Sequence, residues 1–399
     1  MICGHGDQRM VKESMALKRN NHSVSLLTRS PNAYNDFFDQ TYIFSSDEKM
    51  GEYLKTLEAD IYHIHCKPAS IPRIAIQVLL ERKKKFIYDV HDLDIVRFEK
   101  TNSDELFALL NSPYLIFPEE AVKEKTFDLL LKHLPKKPKS LVLLPYFSLM
   151  DMVYPLVHPV PTSSEDINKK IVYEGNIIYP MVETIKAFPY YDYRFVAFIF
   201  SSYGYEFHIY PVGIDFNQAR QVYDGSGAIL HAPVDYPALI REMGAFGWGF
   251  FGSFSKNVQA DITFANKIFD YICAGIPVMV MNAAKMGKWL EETGFGLEIK
   301  SFDDIEKIKE DRTIRENLQQ NILGGRVGYS MEENIGRLED FYKEILDDSN
   351  FYQGIEGEGG GEAEVINVIR SKQEINLRED EEEANTIISD LKAKELENG

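Results

Sequence analysis

Apolar residues in the first 145 positions fall into short runs separated by segments of helical period. Positions 24–28, 61–64, 86–90, 115–117 and 141–144 are runs of strand length. Between them, 11–20, 47–58, 71–84 and 121–133 carry apolar residues every third or fourth position, the spacing of one helix face. Strand and helix in alternation predict βαβ units and a parallel sheet.

A passage containing Pro155, Pro159 and Pro161 and the polar run 162–170 interrupts this rhythm and reads as an interdomain linker. Alternation then resumes. Strands are expected at 170–173, 193–200, 207–212, 228–230, 249–252 and 277–281, with helices at 181–188, 236–243 and 263–274. Residues Ile335, Leu338, Phe341, Tyr342 and Ile345 predict a closing helix over 331–346. The expected organisation is a first domain over 1–158, a second over 168–330, the closing helix within 331–350, and a tail over 351–399. The Gly/Glu-rich stretch 354–361 reads as flexible, and 379–383 is an unbroken acidic run.

Composition narrows the function classes. With 399 residues, 44% of them hydrophobic, the chain is long enough for two packed cores. A formal net charge of −18 argues against nucleic acid as the main partner, since phosphate binding needs an excess of Lys and Arg. From position 353 onward there are 13 acidic and 5 basic residues, a net of −8. Cys3, Cys66 and Cys273 are isolated and read as reduced thiols, with neither a disulfide framework nor zinc spacing. No apolar stretch is long enough to span a bilayer and the first residues lack a signal-peptide pattern, so a cytoplasmic address is expected.

The segment Cys3-Gly4-His5-Gly6-Asp7-Gln8-Arg9 is a glycine-containing loop opening onto a helix. Such a loop lets a phosphate or sugar approach the backbone at the helix N-terminus, although Gly-x-Gly before a helix is more often a simple turn. Specificity comes from the set of motifs. Gln8-Arg9-Met10-Val11-Lys12-Glu13 with Asn21-His22-Ser23-Val24, then Asp60-Ile61-Tyr62-His63-Ile64-His65, then Tyr88-Asp89-Val90-His91-Asp92-Leu93 lie in the first half. Val172-Tyr173-Glu174-Gly175-Asn176 and the thirteen residues Asn266–Val278 lie in the second. Together they resemble retaining, family-4-like glycosyltransferases of the GT-B type, over about residues 4–345. The resemblance implies an α/β fold of two Rossmann-like parallel-sheet domains facing across a cleft, followed here by an acidic C-terminal tail.

It also implies roles. His91 would contact the donor sugar near its anomeric centre. Gly175, Asn176, Asn266, Lys267 and Tyr271 would line the diphosphate and donor site, Gly213 with Ile214 the base, and Asp270 both ribose hydroxyls. The usual residue at 270 is Glu, so Asp shortens the reach. Lys267 stands one turn from Asp270, and either a diphosphate contact or a pair with Asp270 suits that spacing. Gly4, Gly6, Arg9 and His65 would face the cleft from the first domain. No bound metal or other cofactor is expected, and Asp92-Leu93-Asp94 alone does not make a metal site.

Two departures stand out. The turn after Gly175 commonly carries an Arg and a nearby Lys that neutralise the leaving diphosphate; here it reads Asn176-Ile177-Ile178-Tyr179-Pro180, with no base before Lys186. Lys267 and Arg9 across the cleft are the remaining candidates. Only Met1-Ile2-Cys3 is available for the first strand. The expected activity is sugar transfer, of hexosyltransferase type, from a nucleotide-sugar to a glycan or lipid-linked acceptor with retention, in polysaccharide biosynthesis. A non-catalytic module binding a nucleotide, glycan or protein is the alternative, and a sugar-nucleotide epimerase a second. The clusters Arg82–Lys85 and Lys136–Lys139 read as solvated loop ends, with peripheral contact to the inner membrane face as the other reading.

Overall fold

The computed structural model describes residues 1–4, 8–29, 37–65, 68–91, 93, 102–130, 137–151, 165–177, 191–212, 214–254 and 264–353. The expected helix at 181–188, the prolines of the linker, Gly6, Gly213 and the acidic tail lie outside the described residues. Two wholly parallel sheets carry the fold. The first has seven strands: β1 (Ile2–Cys3), β2 (Ser25–Thr28), β3 (Gln40–Ile43), β4 (Tyr62–His65), β5 (Phe86–Asp89), β6 (Tyr114–Phe117) and β7 (Lys139–Val142), in spatial order 3-2-1-4-5-6-7. The second has six: β8 (Lys170–Asn176), β9 (Glu206–Val212), β10 (Ala228–Leu230), β11 (Trp248–Gly252), β12 (Val278–Met281) and β13 (Gly296–Glu298), in order 10-9-8-11-12-13. In each, the chain returns past its first strand to extend the sheet the other way, and the carboxyl ends of strands beside such a reversal are where α/β proteins bind ligands.

The first sheet is served by α1 (Gln8–Arg19), α2 (Asp47–Thr56), α3 (Ser70–Glu81), α4 (Ser103–Leu110) and α5 (Glu120–Leu130). The second follows the short α6 (Glu165–Asn168) and is served by α7 (Arg194–Ser202), α8 (Phe216–Tyr223), α9 (Tyr236–Met243), α10 (Asn266–Ala274), α11 (Ala284–Thr293), α12 (Phe302–Glu310) and α13 (Arg312–Gly325). The last helix, α14 (Met331–Asp347), starts at Ser330, whose side chain accepts a hydrogen bond from the Glu333 amide. It returns to the first sheet: Tyr342 Oη meets His63 Nδ1 at 2.7 Å, and Tyr114 Oη donates to Asp348 at 2.8 Å.

The central strands are apolar runs closed off from water on both sides. Every residue of β4, β5, β6 and β12 is buried, as parallel strands covered by helices require. One expected strand, 193–200, is the helix α7. Val196, Ala197 and Phe200 face inward while Phe195 and Phe198 are 55% and 56% exposed, so the apolar string 195–200 conceals a 3.6-residue period. The edge strands β3 and β13 escape a reading from hydrophobicity because only one of their seven residues is buried.

Glycines place α10, the helix that carries most of the expected donor residues. A Cβ at Gly249 on β11 would stand 2.3 Å from the Tyr271 ring, so only glycine lets α10 press onto the sheet. Gly275 ends the helix at φ 83°, with its amide bonded to Ile272 O and the Ile276 amide to Tyr271 O. A Cβ there would lie 2.8 Å from the Arg326 guanidinium, whose Nη1 donates to Cys273 O at 2.7 Å. Gly275→Ala is therefore expected to cost about 1–2 kcal/mol from the left-handed backbone alone, read as a lower melting temperature. An unchanged melting temperature would show that the turn relaxes.

Candidate functional site

Two polar groups lie at the carboxyl ends of the strands, one on each sheet. On the first sheet, β4 delivers His63 and His65 to the same side because side chains alternate along a strand. β5 ends in Asp89, with His91 just beyond, and α1 places Arg9 and Glu13 one turn apart against them. Arg9 Nε lies 3.1 Å from both Asp89 Oδ2 and Glu13 Oε1, and its Nη1 donates to Leu143 O at 2.9 Å. His65 Nδ1 and His91 Nε2 are 3.0 Å apart, and His91 Nε2 is 3.4 Å from Asp89 Oδ2. Burial opposes ionisation of Asp89, yet Arg9 and the histidines outweigh it and hold the carboxyl well below its ordinary range. Burial pushes His63 toward the neutral imidazole against the pull of Asp89.

One ligand atom from each of Glu13, His63, His65 and Asp89 lies within 4.8 Å of the others, which raises the question of a metal. The His63 and His65 rings of this group stack at 4.4 Å and 9°. The cation between the two carboxylates is already Arg9. Arg9 is 3% exposed, and these contacts of its guanidinium are with residues of its own domain. His91 remains partly open, its side chain 17% exposed. Gly4 is buried, its carbonyl accepting from the Arg29 amide at 3.2 Å.

On the second sheet, β8 runs out into Gly175 and Asn176. Gly175 adopts φ 132°, and a Cβ there would be 2.9 Å from Lys267 Nζ, so the absent side chain is the space the ammonium occupies. That ammonium lies 4.9 Å from the centre of the Tyr173 ring and 5.5 Å from that of Phe251. Tyr271 Oη accepts from the Glu174 amide at 3.2 Å and donates to Phe250 O at 3.1 Å, tying α10 to both strands. Asn266 opens α10 on the exposed side. Burial raises the Glu174 carboxyl to about 7 against the attraction of Lys267, and burial lowers Lys267 against Glu174 and Asp270. Burial thus works against the charge on both groups, while their mutual attraction favours it.

Between the two groups stands a contact that the sequence reading did not contain. Asp270 does not meet Lys267; its Oδ1 takes Lys12 Nζ of α1 at 3.1 Å and the Tyr236 hydroxyl of α9 at 2.6 Å. The Lys12 and Asp270 side chains are 5% and 3% exposed. Burial works against the Lys12 charge, but Asp270 and Asp151 outweigh it and raise its pKa. The only sequence signal for Lys12 was its position one turn after Arg9, and Tyr236 gave none. A cavity of about 510 Å³, lined by Leu17, Val24, Tyr42, Leu54, Tyr62 and Leu346 among others, lies toward the amino ends of β2 and β4 and reaches His63 and Tyr342 at the back of the first group.

The sequence matches no family model and no curated protein. Its three-dimensional structure is similar to solved ones. These include a glycosyltransferase from Rickettsia africae (12% identity, 87% of this chain and 98% of that one, TM-score 0.60) and sucrose-phosphate synthase from Thermosynechococcus elongatus (13%, 86% and 95%, 0.59). A third is HepE of Anabaena in complex with UDP and glucose (10%, 86% and 98%, 0.60). At such identities the likeness shows the fold alone, GT-B, with which the strand order of both sheets agrees.

The shift of Glu174 carries a sign. Its folded pKa is raised above the ordinary value near 4.5, so its contribution to stability is fully present below that value and lost as pH rises through about 7. Melting temperature is expected to fall across this window in the wild type, and Glu174→Gln is expected to flatten the decline. Identical pH profiles for both proteins would contradict the assignment.

Proposed function

We propose that the protein is a glycosyltransferase that takes a sugar from a nucleotide-sugar donor. The observation carrying this reading is Lys267 seated in the space left by Gly175, at the carboxyl end of the first strand of the second sheet. A lysine ammonium held by aromatic faces beside a side-chain-free turn is a cradle for an anion, and a diphosphate brings two charges to it. The GT-B fold supports the reading, and one structural neighbour is described with UDP and glucose bound.

In this account the donor lies on the second domain, with the base near Gly213 and Ile214 and the diphosphate between Gly175, Asn176 and Lys267. Tyr271 fixes the turn from behind. Asp270 becomes a ribose acceptor only once Lys12 releases it. His91 approaches the sugar from the first domain, held by His65 and Asp89. Transfer with retention needs no protein nucleophile. The anomeric C–O bond breaks toward the diphosphate, the acceptor oxygen bonds to the same face, and its proton passes to the departing phosphate oxygen. Charge compensation then rests on Lys267 and on helix N-termini, and no bound metal or other cofactor is needed. The hexosyl, retaining subtype, a glycan or glycolipid acceptor, and peripheral work at the inner membrane face belong to the same proposal; no helix among the described residues is long and apolar enough to cross a membrane.

A second reading, a nucleotide- or glycan-binding module without turnover, has its own support. Glu174 puts a carboxyl beside Lys267, and Asn176 stands where similar enzymes carry a cation. Thermal stabilisation by UDP, GDP, ADP and their glucose conjugates decides the first step, since a ligand of the native state alone must raise its melting temperature with concentration. The reading predicts a shift with one base that Lys267→Met reduces at least tenfold in apparent affinity, corresponding to about 1.4 kcal/mol. No shift with any of them would contradict it. Binding without release of free nucleotide in the presence of acceptors would favour the second reading.

A further inference from the structure

The pair formed by Lys12 and Asp270 joins helices packed on different sheets. Lys12 belongs to α1 of the first domain, and Asp270 to α10 of the second. Their side chains are 5% and 3% exposed, so the contact is sealed from water, where an ion pair is least screened. It is also cross-braced. Tyr236 Oη donates to the same Asp270 oxygen at 2.6 Å, and Lys12 Nζ lies 5.2 Å from the centre of the Tyr236 ring. One carboxylate oxygen thus carries two donors from two different elements. Asp270 stands on α10 one helical turn beyond Lys267, beside the cradle at Gly175. A sugar hydroxyl that uses Asp270 must therefore displace an ammonium already in place.

We infer that Lys12 and Asp270 form a latch that holds the two domains closed and that competes with ligand for the Asp270 carboxylate. The inference rests in part on the donor reading, because it supplies the ligand that displaces Lys12. Opening separates the two charges and exposes both to water. It also uncovers the Asp270 carboxylate for hydroxyl donors. The apparent affinity for a ligand that needs the open form is reduced by the fraction of molecules that are open. Neutralising Lys12 removes one side of the competition while leaving the receiving carboxylate intact. Tyr236 and Asp151 remain beside it, so a substitution at position 12 acts on closure and not on the cradle at Gly175.

Small-angle X-ray scattering and UDP, GDP and ADP titrations on the full chain test this with Lys12→Met, Lys12→Arg and Tyr236→Phe. The latch predicts a larger radius of gyration for Lys12→Met and about tenfold tighter nucleotide binding, the gain when a state populated near 10% becomes dominant. Lys12→Arg keeps the charge and is expected to stay closed. Tyr236→Phe removes one hydrogen bond, leaves the ion pair, and is expected to change both readouts less in the same direction; it carries the test if Lys12→Met fails to fold. An unchanged radius of gyration in Lys12→Met, or in Tyr236→Phe where that variant carries the test, overturns the latch. So does a larger radius with weaker nucleotide binding, which would make Lys12 a ligand-binding residue. If no nucleotide binds any form, the donor reading falls and scattering alone decides the latch.

Discussion

The ion pair between Lys12 and Asp270 is the constraint around which the two halves of the molecule are arranged. It is buried, it spans the domains, and it engages the carboxylate that the resemblance had assigned to ribose. Burying two charges is costly, and their attraction offsets that cost only with good geometry and further hydrogen bonds. Tyr236 supplies one of these. Removing either charge alone leaves the other stranded away from water unless the domains part, so the pair favours the arrangement of α1 of one domain against α9 and α10 of the other.

A second buried network does comparable work inside the first domain. Arg9 is held by Asp89, Glu13 and the Leu143 carbonyl, and around it His63, His65 and His91 form a chain of contacts. His63 extends the chain to Tyr342 of α14 at 2.7 Å. His91 is thus anchored through Asp89 and His65 to elements far apart in sequence. On the second domain the site at Gly175 and Lys267 has a different character, a backbone gap filled by a single ammonium beside two aromatic rings.

Much of this was legible in the sequence, and the exceptions have physical reasons. Strands with buried apolar stretches stand out, as β5, β6, β8, β9 and β12 do. The turn at Gly275 follows from the helix stop before Pro277. The run at 193–200 misled because two exposed phenylalanines completed an apolar string that folds as α7. His65 and His91 were legible as strand-end histidines, but their partnership through Asp89 was not. Arg9 read as a cleft cation, since nothing in sequence shows that two carboxylates, one of them 80 residues away, will claim it. Lys12 with Asp270 is the extreme case, 258 residues apart and on different domains. Long-range charge pairing leaves no local period, so it emerges only when both sheets are assembled.

The most direct test of the central claim is a double-mutant cycle on the stability of the full chain, with Lys12→Met, Asp270→Leu and the two combined. A buried pair that holds the closed form predicts a loss for each single change, because each either strands one charge or gives up the interdomain contact as the domains part. The combined change should cost clearly less than the two losses added, since neither charge then remains. Losses that simply add would show that the two residues contribute independently, and that the contact between α1 and α10 does not hold the domains together.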